Sequence, residues 1–294
     1  MLAASREDTG RVTVLIELGR EWSFITPDSG LFCCKSAFEL SEKLGWVSGL
    51  SRSYLMMGWC YDVKGDYIKA LETYNKSLEL ARQAGSKKLT SSALGSIGLI
   101  YSNQGDYVKA LDYFFPSLRM TEELNDKKLI SIQLGNIANV YNQQGDYEKA
   151  LDYYSRALKM KEDLGDKKGI ARNLGNMGVA YKHLAASKGG DTKTKDSLYH
   201  LALANFLRAE EISEKIGHKS TMSTWMGDIG GVYEDMGDYP RALDYFLNAL
   251  RLSRQLGQKN LTAIWLGDIG NLFTRMKEYD KAENYLKRSL QLYD

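Results

Sequence analysis

The tripeptide Gly-Asp-Tyr returns at Gly65, Gly105 and Gly145, forty residues apart, and again at Gly237; a degenerate copy, Lys277-Glu278-Tyr279, follows forty later. A fixed period of this size is the mark of a solenoid, in which each supersecondary unit buries its apolar face only against its neighbours. The stretch from Gly145 to Tyr181 shows the unit: two helical patterns joined by short Gly-Asp breaks. Within residues 91–130, Leu94, Ile97, Gly98 and Tyr101 are spaced three, one and three apart, which places them on one helical face. Gly105 ends that helix and Asp106 is a suitable N-cap for the next, along which Ala110, Phe114 and Leu118 step by four. The period predicts an all-α chain, an alpha-alpha superhelix of about seven helix-turn-helix repeats with helices of about 16 to 18 residues.

The units divide the chain into 11–50, 51–90, 91–130, 131–170, 171–222, 223–262 and 263–294, with 1–10 as an N-terminal tail. In the first unit Pro27-Asp28 replaces Gly-Asp-Tyr, Asp28 is the expected cap of the second helix, and Gly45 its stop. The fifth unit is longer than the period by twelve residues, and the excess falls at 185–197, AASKGGDTKTKDS. Rich in Lys, Gly, Ser and Thr, this segment predicts a flexible, solvated hairpin tip. Pro116 lies inside a second helix, where it removes one backbone bond and should bend the helix. The last unit stops at Leu290-Gln291-Leu292-Tyr293-Asp294 with no polar capping helix after it. Leu286, Leu290 and Leu292 would leave apolar surface there, which predicts either a further C-terminal domain or association through this end.

Small residues recur in register. Gly58, Gly98, Gly178, Gly230 and Gly270 hold one first-helix position, and Ala70, Ala110, Ala150, Ala202, Ala242 and Ala282 hold one second-helix position. Glycine inside a helix costs about 1 kcal/mol against alanine, so its repetition implies a steric need, read here as close approach of glycine to alanine.

The motif Leu-x-x-Ile/Met-Gly-x-x-Tyr, then Gly-Asp-Tyr-x-Lys-Ala-Leu-x-Tyr-Tyr and Ala-Leu, resembles the tetratricopeptide repeat. Leu174, Met177, Gly178 and Tyr181 match its first-helix signature, and Ala150, Tyr154 and Ala157 its second. The helix-breaking proline that closes the usual 34-residue unit is replaced by Glu122 and Glu162, and the unit is 40 long. This is similar to the long-repeat branch seen in Pins-type polarity adaptors, kinesin light chains, Rap regulators and bacterial sensor-associated arrays. The Leu-Gly-Asn triplets at Leu134–Asn136 and Leu174–Asn176 resemble the Pins type. The opening, with Asp8 to Val12 and Pro27-Asp28-Ser29, is similar to the sensor arrays. The resemblance implies a non-enzymatic scaffold whose first helices line a concave groove for a peptide or helical segment of a protein partner. Its alternative is a sensor segment of a larger bacterial signalling protein, a histidine kinase, cyclase or transcription regulator.

The face opposite the Gly/Tyr core carries unit positions two, six, nine and thirteen. Those positions give Arg52, Met56, Trp59 and Val63; then Ile132, Asn136, Asn139 and Gln143; then Arg172, Asn176, Val179 and His183. Further on they give Thr224, Asp228, Gly231 and Asp235, and Ile264, Asp268, Asn271 and Arg275. The lining grades from aromatic through amide to acidic. Amides can pair with any peptide backbone, Trp59 suits an anchor, and Asp228, Asp235 and Asp268 favour Lys or Arg on the ligand.

Little else suggests chemistry. His183, His200 and His218 form no ligand pair, and no phosphate-binding loop or nucleophile motif occurs, so neither a catalytic residue, a cofactor nor a metal is expected. Net charge is +2 with both signs interspersed, which gives no basic stripe for nucleic acid. Cys33, Cys34 and Cys60 form no CxxC and read as reduced thiols of a cytoplasmic protein. No apolar run approaches a membrane span, and an extracytoplasmic sensor segment would need a signal removed from the chain.

Overall fold

The computed structural model describes residues 9–189 and 192–292, and in them the chain is all α. The helices are α1 (Thr9–Ser23), α2 (Pro27–Lys43), α3 (Val47–Val63), α4 (Tyr67–Gln83), α5 (Lys87–Asn103), α6 (Tyr107–Glu123) and α7 (Lys127–Gln143). They continue as α8 (Tyr147–Asp163), α9 (Lys167–Ser187), α10 (Thr192–Lys215), α11 (Lys219–Asp235), α12 (Tyr239–Gln255), α13 (Lys259–Arg275) and α14 (Tyr279–Leu290). Each first helix from α3 onward begins four residues before the unit start that the period suggests.

Cap chemistry sets these limits. Asp66, Asp106, Asp146 and Asp238 each accept from a backbone amide three residues on, at 3.1–3.2 Å. Each cap thereby satisfies an amide that the first turn leaves orphaned. The helix before each cap ends on a left-handed residue, Gly105 at φ +79° for instance, which glycine adopts at no steric cost. Asn125 and Lys277 take the same turn at φ 52° and 63°. In the first unit the cap differs from the expectation. Thr26 holds the N-cap position without a side-chain bond, Pro27 follows it, and Asp28 lies inside the first turn, paired with Lys64. Proline belongs at that first helical position because its missing N–H has no partner there anyway. Pro116 sits inside α6, which continues through it.

The segment 185–197 departs from the flexible tip expected of it. α9 runs on to Ser187 and α10 starts at Thr192, so most of the added length forms extra helical turns. The reason is apolar: Ala185 and Tyr199 are buried in one cluster with Leu198 packed against it. Gly190 and Asp191 lie outside the described residues, as do Met1–Asp8 of the tail and the terminal Tyr293-Asp294.

Contacts divide the chain into two compact units, Met1–Val140 and Tyr141–Asp294. In the first, α1–α2, α3–α4 and α5–α6 pair as hairpins and stack through α2–α3 and α4–α5. In the second, α9–α10, α11–α12 and α13–α14 pair, α8 packs on α9, and the hairpins stack through α10–α11 and α12–α13. First helices also touch first helices, α1 to α3 to α5 and α9 to α11 to α13. They therefore form a layer of their own within each unit.

Four of these glycines seat rings rather than alanines, while Gly270 meets Leu286 and the backbone carbonyl of Ala282. A Cβ on Gly98 would stand 2.8 Å from the Phe114 ring; Gly58 meets Tyr74, Gly178 meets Phe206, and Gly230 meets Phe246 in the same way. Each aromatic follows one turn after the alanine that the sequence reading had paired with the glycine. The alanine lets the second helix approach, and the ring fills the space the glycine leaves. Serines lock the same crossing: Ser77 and Ser117 donate to the carbonyls of Ser51 and Ser91 at 2.8 and 2.7 Å, and Ser289 to that of Ala263 at 2.7 Å. These buried hydroxyls are satisfied across the helix pair, as buried polar groups must be.

A second glycine position sets the stacking of one hairpin on the next. Gly175 and Gly227 receive the indoles of Trp225 and Trp265, and Gly95 receives the side chain of Gln133. Of these glycines only Gly175 belongs to a Leu-Gly-Asn triplet named in the sequence.

Candidate partner-binding surface

In the first unit the aromatic end of the expected lining is already engaged. Trp59 is half-buried, its Nε1 donates to Ser23 Oγ at 3.1 Å, and Phe24 packs edge-on at 6.1 Å. Arg52 donates to Thr13 Oγ1 at 3.1 Å and lies 6.0 Å above Trp46. Both side chains tie α3 to its neighbours, so Trp59 offers one edge to a partner rather than a free ring. Asn136 and Asn139 are half-buried on α7, and Ile132 is exposed beside them.

In the second unit the lining is polar. Gln143, Arg172 and Asn271 are exposed, and Asn176 is half-buried with a hydrogen bond to the Tyr154 hydroxyl. His183 stacks on Tyr147 at 5.6 Å, and burial pushes its imidazole below the usual range. Asp228, Asp235 and Asp268 come together across α11 and α13, all half-buried. Lys182 of α9 reaches into the group, its Nζ 3.7 Å from Asp235 Oδ2. Arg275 closes one side with its Nε 2.9 Å from Glu234 Oε1.

Burial dominates the electrostatics of this cluster. It raises the Asp228 carboxyl to about 7, with Lys182 opposing and Asp268 adding to the rise. Asp268 and Glu234 are pushed up by the same cause. Removing a carboxylate from water favours its neutral form, and two cations do not offset four acids. Lys182 and Glu234 were missed from the sequence because the face was counted at every third or fourth residue. Both sit at position twelve, next to the position that was counted.

No group of three or more His, Cys, Asp or Glu residues is placed to hold a metal ion among the described residues. No helix among them is long and apolar enough to cross a membrane.

Family models described as tetratricopeptide repeat match residues 50–123, 131–164 and 220–294. The chain belongs to the tetratricopeptide repeat family. A curated relative, tetratricopeptide repeat protein 29 of Trypanosoma brucei brucei, is 35% identical over 66 residues, or 22% of this chain. That match spans only 14% of the relative's length. Among solved structures, the apo form of RapI aligns with TM-score 0.69 at 16% identity, covering 96% of this chain and 97% of that one. A Rap protein complexed with Competence and Sporulation Factor aligns with TM-score 0.62 at 13% identity, over 97% and 98% of the two chains. At these identities the likeness is one of fold. As a tetratricopeptide array the chain is a protein-interaction or regulatory repeat domain, and the family models that match it describe a repeat rather than a catalytic family.

Proposed function

We propose that the chain is a non-enzymatic scaffold that binds an extended or helical segment of a protein partner along its first-helix layer. The observation that supports this most is the face shared by α9, α11 and α13, where Asn176, Asp228, Asp235, Asp268 and Asn271 stand in repeat register. Core packing does not require polar groups there. Amides that pair with any backbone, beside acids that select a cation, suit a peptide ligand. A random peptide-display selection against the chain tests the reading. Selected peptides should lose at least tenfold affinity for Arg172→Glu/Asn271→Arg, two exposed positions whose exchange leaves the core untouched. Equal affinity for both proteins would move the site elsewhere, and failure to select any peptide would count against the scaffold itself.

A second reading, a sensor segment of a larger signalling protein, is supported by the likeness to a Rap protein solved with Competence and Sporulation Factor.

A further inference from the structure

Trp225 lies in the seat of Gly175 and Trp265 in that of Gly227, so each of these glycines takes the indole of the next first helix. Gly267 holds the same register in α13, forty residues after Gly227. A Cβ on Gly267 would meet Ser289 Oγ at 3.5 Å, an ordinary contact, and no other described atom within 4 Å. Gly267 is half-buried where Gly175 and Gly227 are buried. Its seat is open. The polar partner of an indole is present there too. Trp265 Nε1 donates to Ser223 Oγ at 3.0 Å, and that hydroxyl donates to the Ala249 carbonyl at 3.0 Å. Forty residues on, the same crossing joins Ala263 and Ser289 with the roles exchanged. Ser289 Oγ donates to the Ala263 carbonyl at 2.7 Å and keeps a lone pair for one more donor.

A cavity of about 550 Å³ lies alongside, walled by Thr262, Leu266 and Leu292 and edged by Arg254, Lys259 and Arg288. None of the described residues that line it is acidic. Arg254 and Lys259 have no ion-pair partner among the described residues, and Arg288 lies 5.2 Å over the Tyr285 ring. Leu290 adds exposed apolar surface on α14. One repeat earlier the corresponding place holds the start of α13, where Gln258 donates to Ser220 Oγ at 2.6 Å, next to Lys219.

We propose that this end of the last hairpin docks an amphipathic helix of a protein partner, with a tryptophan in the Gly267 seat and acidic residues in its first turn against Arg254, Lys259 and Arg288. The register of α13 sets both features. Trp265 is the seventh residue of α13, nearly two turns in from the helix start. A partner helix seated in the same way brings its first turn to the cavity. The positive end of a helix dipole conflicts with three cations, and Asp or Glu in the first turn removes the conflict. The indole supplies a large buried anchor whose N–H finds Ser289. A second copy of this chain fits less well, because α1 carries Thr13 at the tryptophan's register and Arg52 already bonds that hydroxyl. The surface is separate from the first-helix face of the scaffold reading and does not depend on it.

The probe is a fluorescein-labelled, alanine-based helical peptide with Asp-Glu-Glu in its first turn and Trp as its seventh helical residue. Titrated into the full chain and read by anisotropy, it should bind saturably. Alanine in place of the tryptophan, or glutamine in place of the three acids, should weaken binding at least about tenfold. Gly267→Leu fills the seat and should cost at least about tenfold as well. The clearance at its Cβ lets this variant fold, which a melting curve at or above the parent's checks. Arg254→Glu/Lys259→Glu, at two exposed positions, should reverse the preference toward a peptide with lysines in place of the acids. Arg172→Glu/Asn271→Arg should bind the probe as the parent does. Absence of binding, equal affinity for the alanine peptide, or undiminished binding by Gly267→Leu would each overturn the proposal. Loss of binding in Arg172→Glu/Asn271→Arg would also overturn it, by placing the peptide on the first-helix face. Self-association of the parent that Gly267→Leu abolishes would make a second copy the occupant instead.

Discussion

The ring of Phe114 lies where a side chain on Gly98 would stand, its nearest atom 2.8 Å from that Cβ position. Both residues are buried, Phe114 with 0% of its surface exposed, and the core around the pair has no slack. The same pairing recurs from Gly58 with Tyr74 to Gly230 with Phe246. In these four hairpins glycine and ring therefore recur together and limit how close the two helices come, while in the last one Leu286 takes the place of the ring at Gly270.

Substitution at this seat should be costly. Gly98→Ala gains up to about 1 kcal/mol of helix propensity but must displace the ring, and overpacking costs about 1–3 kcal/mol. The expected net effect is a loss of about 1–2 kcal/mol for alanine and more for Gly98→Leu, read by urea denaturation. Gly98→Ala/Phe114→Leu should recover part of the loss. An unchanged midpoint for Gly98→Leu would refute the seat.

Lys161 is a lysine almost cut off from water, 7% exposed, where α2, α4, α6, α10 and α12 carry Ser41, Ala81, Thr121, Ser213 and Ser253. Its Nζ donates to Asn173 Oδ1 at 3.0 Å, and Asn173 Nδ2 donates to the Tyr154 carbonyl at 2.8 Å. Burial, with Arg172 adding to it, lowers the ammonium to about 8. The folded state thus loses this proton before the unfolded state does. Between pH 8 and the ordinary lysine range near ~10.4 the unfolded chain binds more protons, and stability rises with pH. The gain approaches about 3 kcal/mol at the upper end. Lys161→Met should remove it, so the parent-minus-variant stability difference climbs from pH 7.5 to pH 10. A flat difference would show that the amine is already solvated in the fold.

Cys34 and Cys60 are wholly buried, and the Cys34 thiol hydrogen-bonds Cys60, which raises Cys34 and lowers Cys60. Cys33, the next residue, is half-exposed. Only a thiolate that meets solvent reacts quickly. Native alkylation with iodoacetamide should modify Cys33 alone, with Cys34 and Cys60 slower by at least about 100-fold because they wait on local opening. Mass spectrometry counts one adduct in the native protein and three in urea. Two or three adducts at comparable rates would mean that the α2–α3 contact opens readily.

Much of the fold was legible because its rules are local. Gly105 with Asp106, or Gly237 with Asp238, states a helix stop and start in adjacent residues, and the 3.6-residue spacing of Leu94, Ile97 and Tyr101 states the buried face. The segment 185–197 was misread for the converse reason. Its lysines, threonines and glycines carry no apolar period, yet Ala185 and Tyr199 at its two ends meet across the hairpin and prolong both helices. The proposed partner surface rests on register alone. Asn176, Asp228, Asp235 and Asp268 follow from counting along the helix. The engagement of Trp59 with Ser23 and the reach of Lys182 toward Asp235 join residues 36 and 53 positions apart, which no count along one helix can supply.

The sequence by itself determined the helices, their period, their caps and the small residues that let them approach, since each depends on residues within a turn or two. Only the tertiary structure decided what the glycines receive, which hydroxyls lock each crossing, and that four carboxylates share two cations across α9, α11 and α13. Those are distances between separate repeats. A buried charge takes its free energy from every group around it, whatever the separation along the chain.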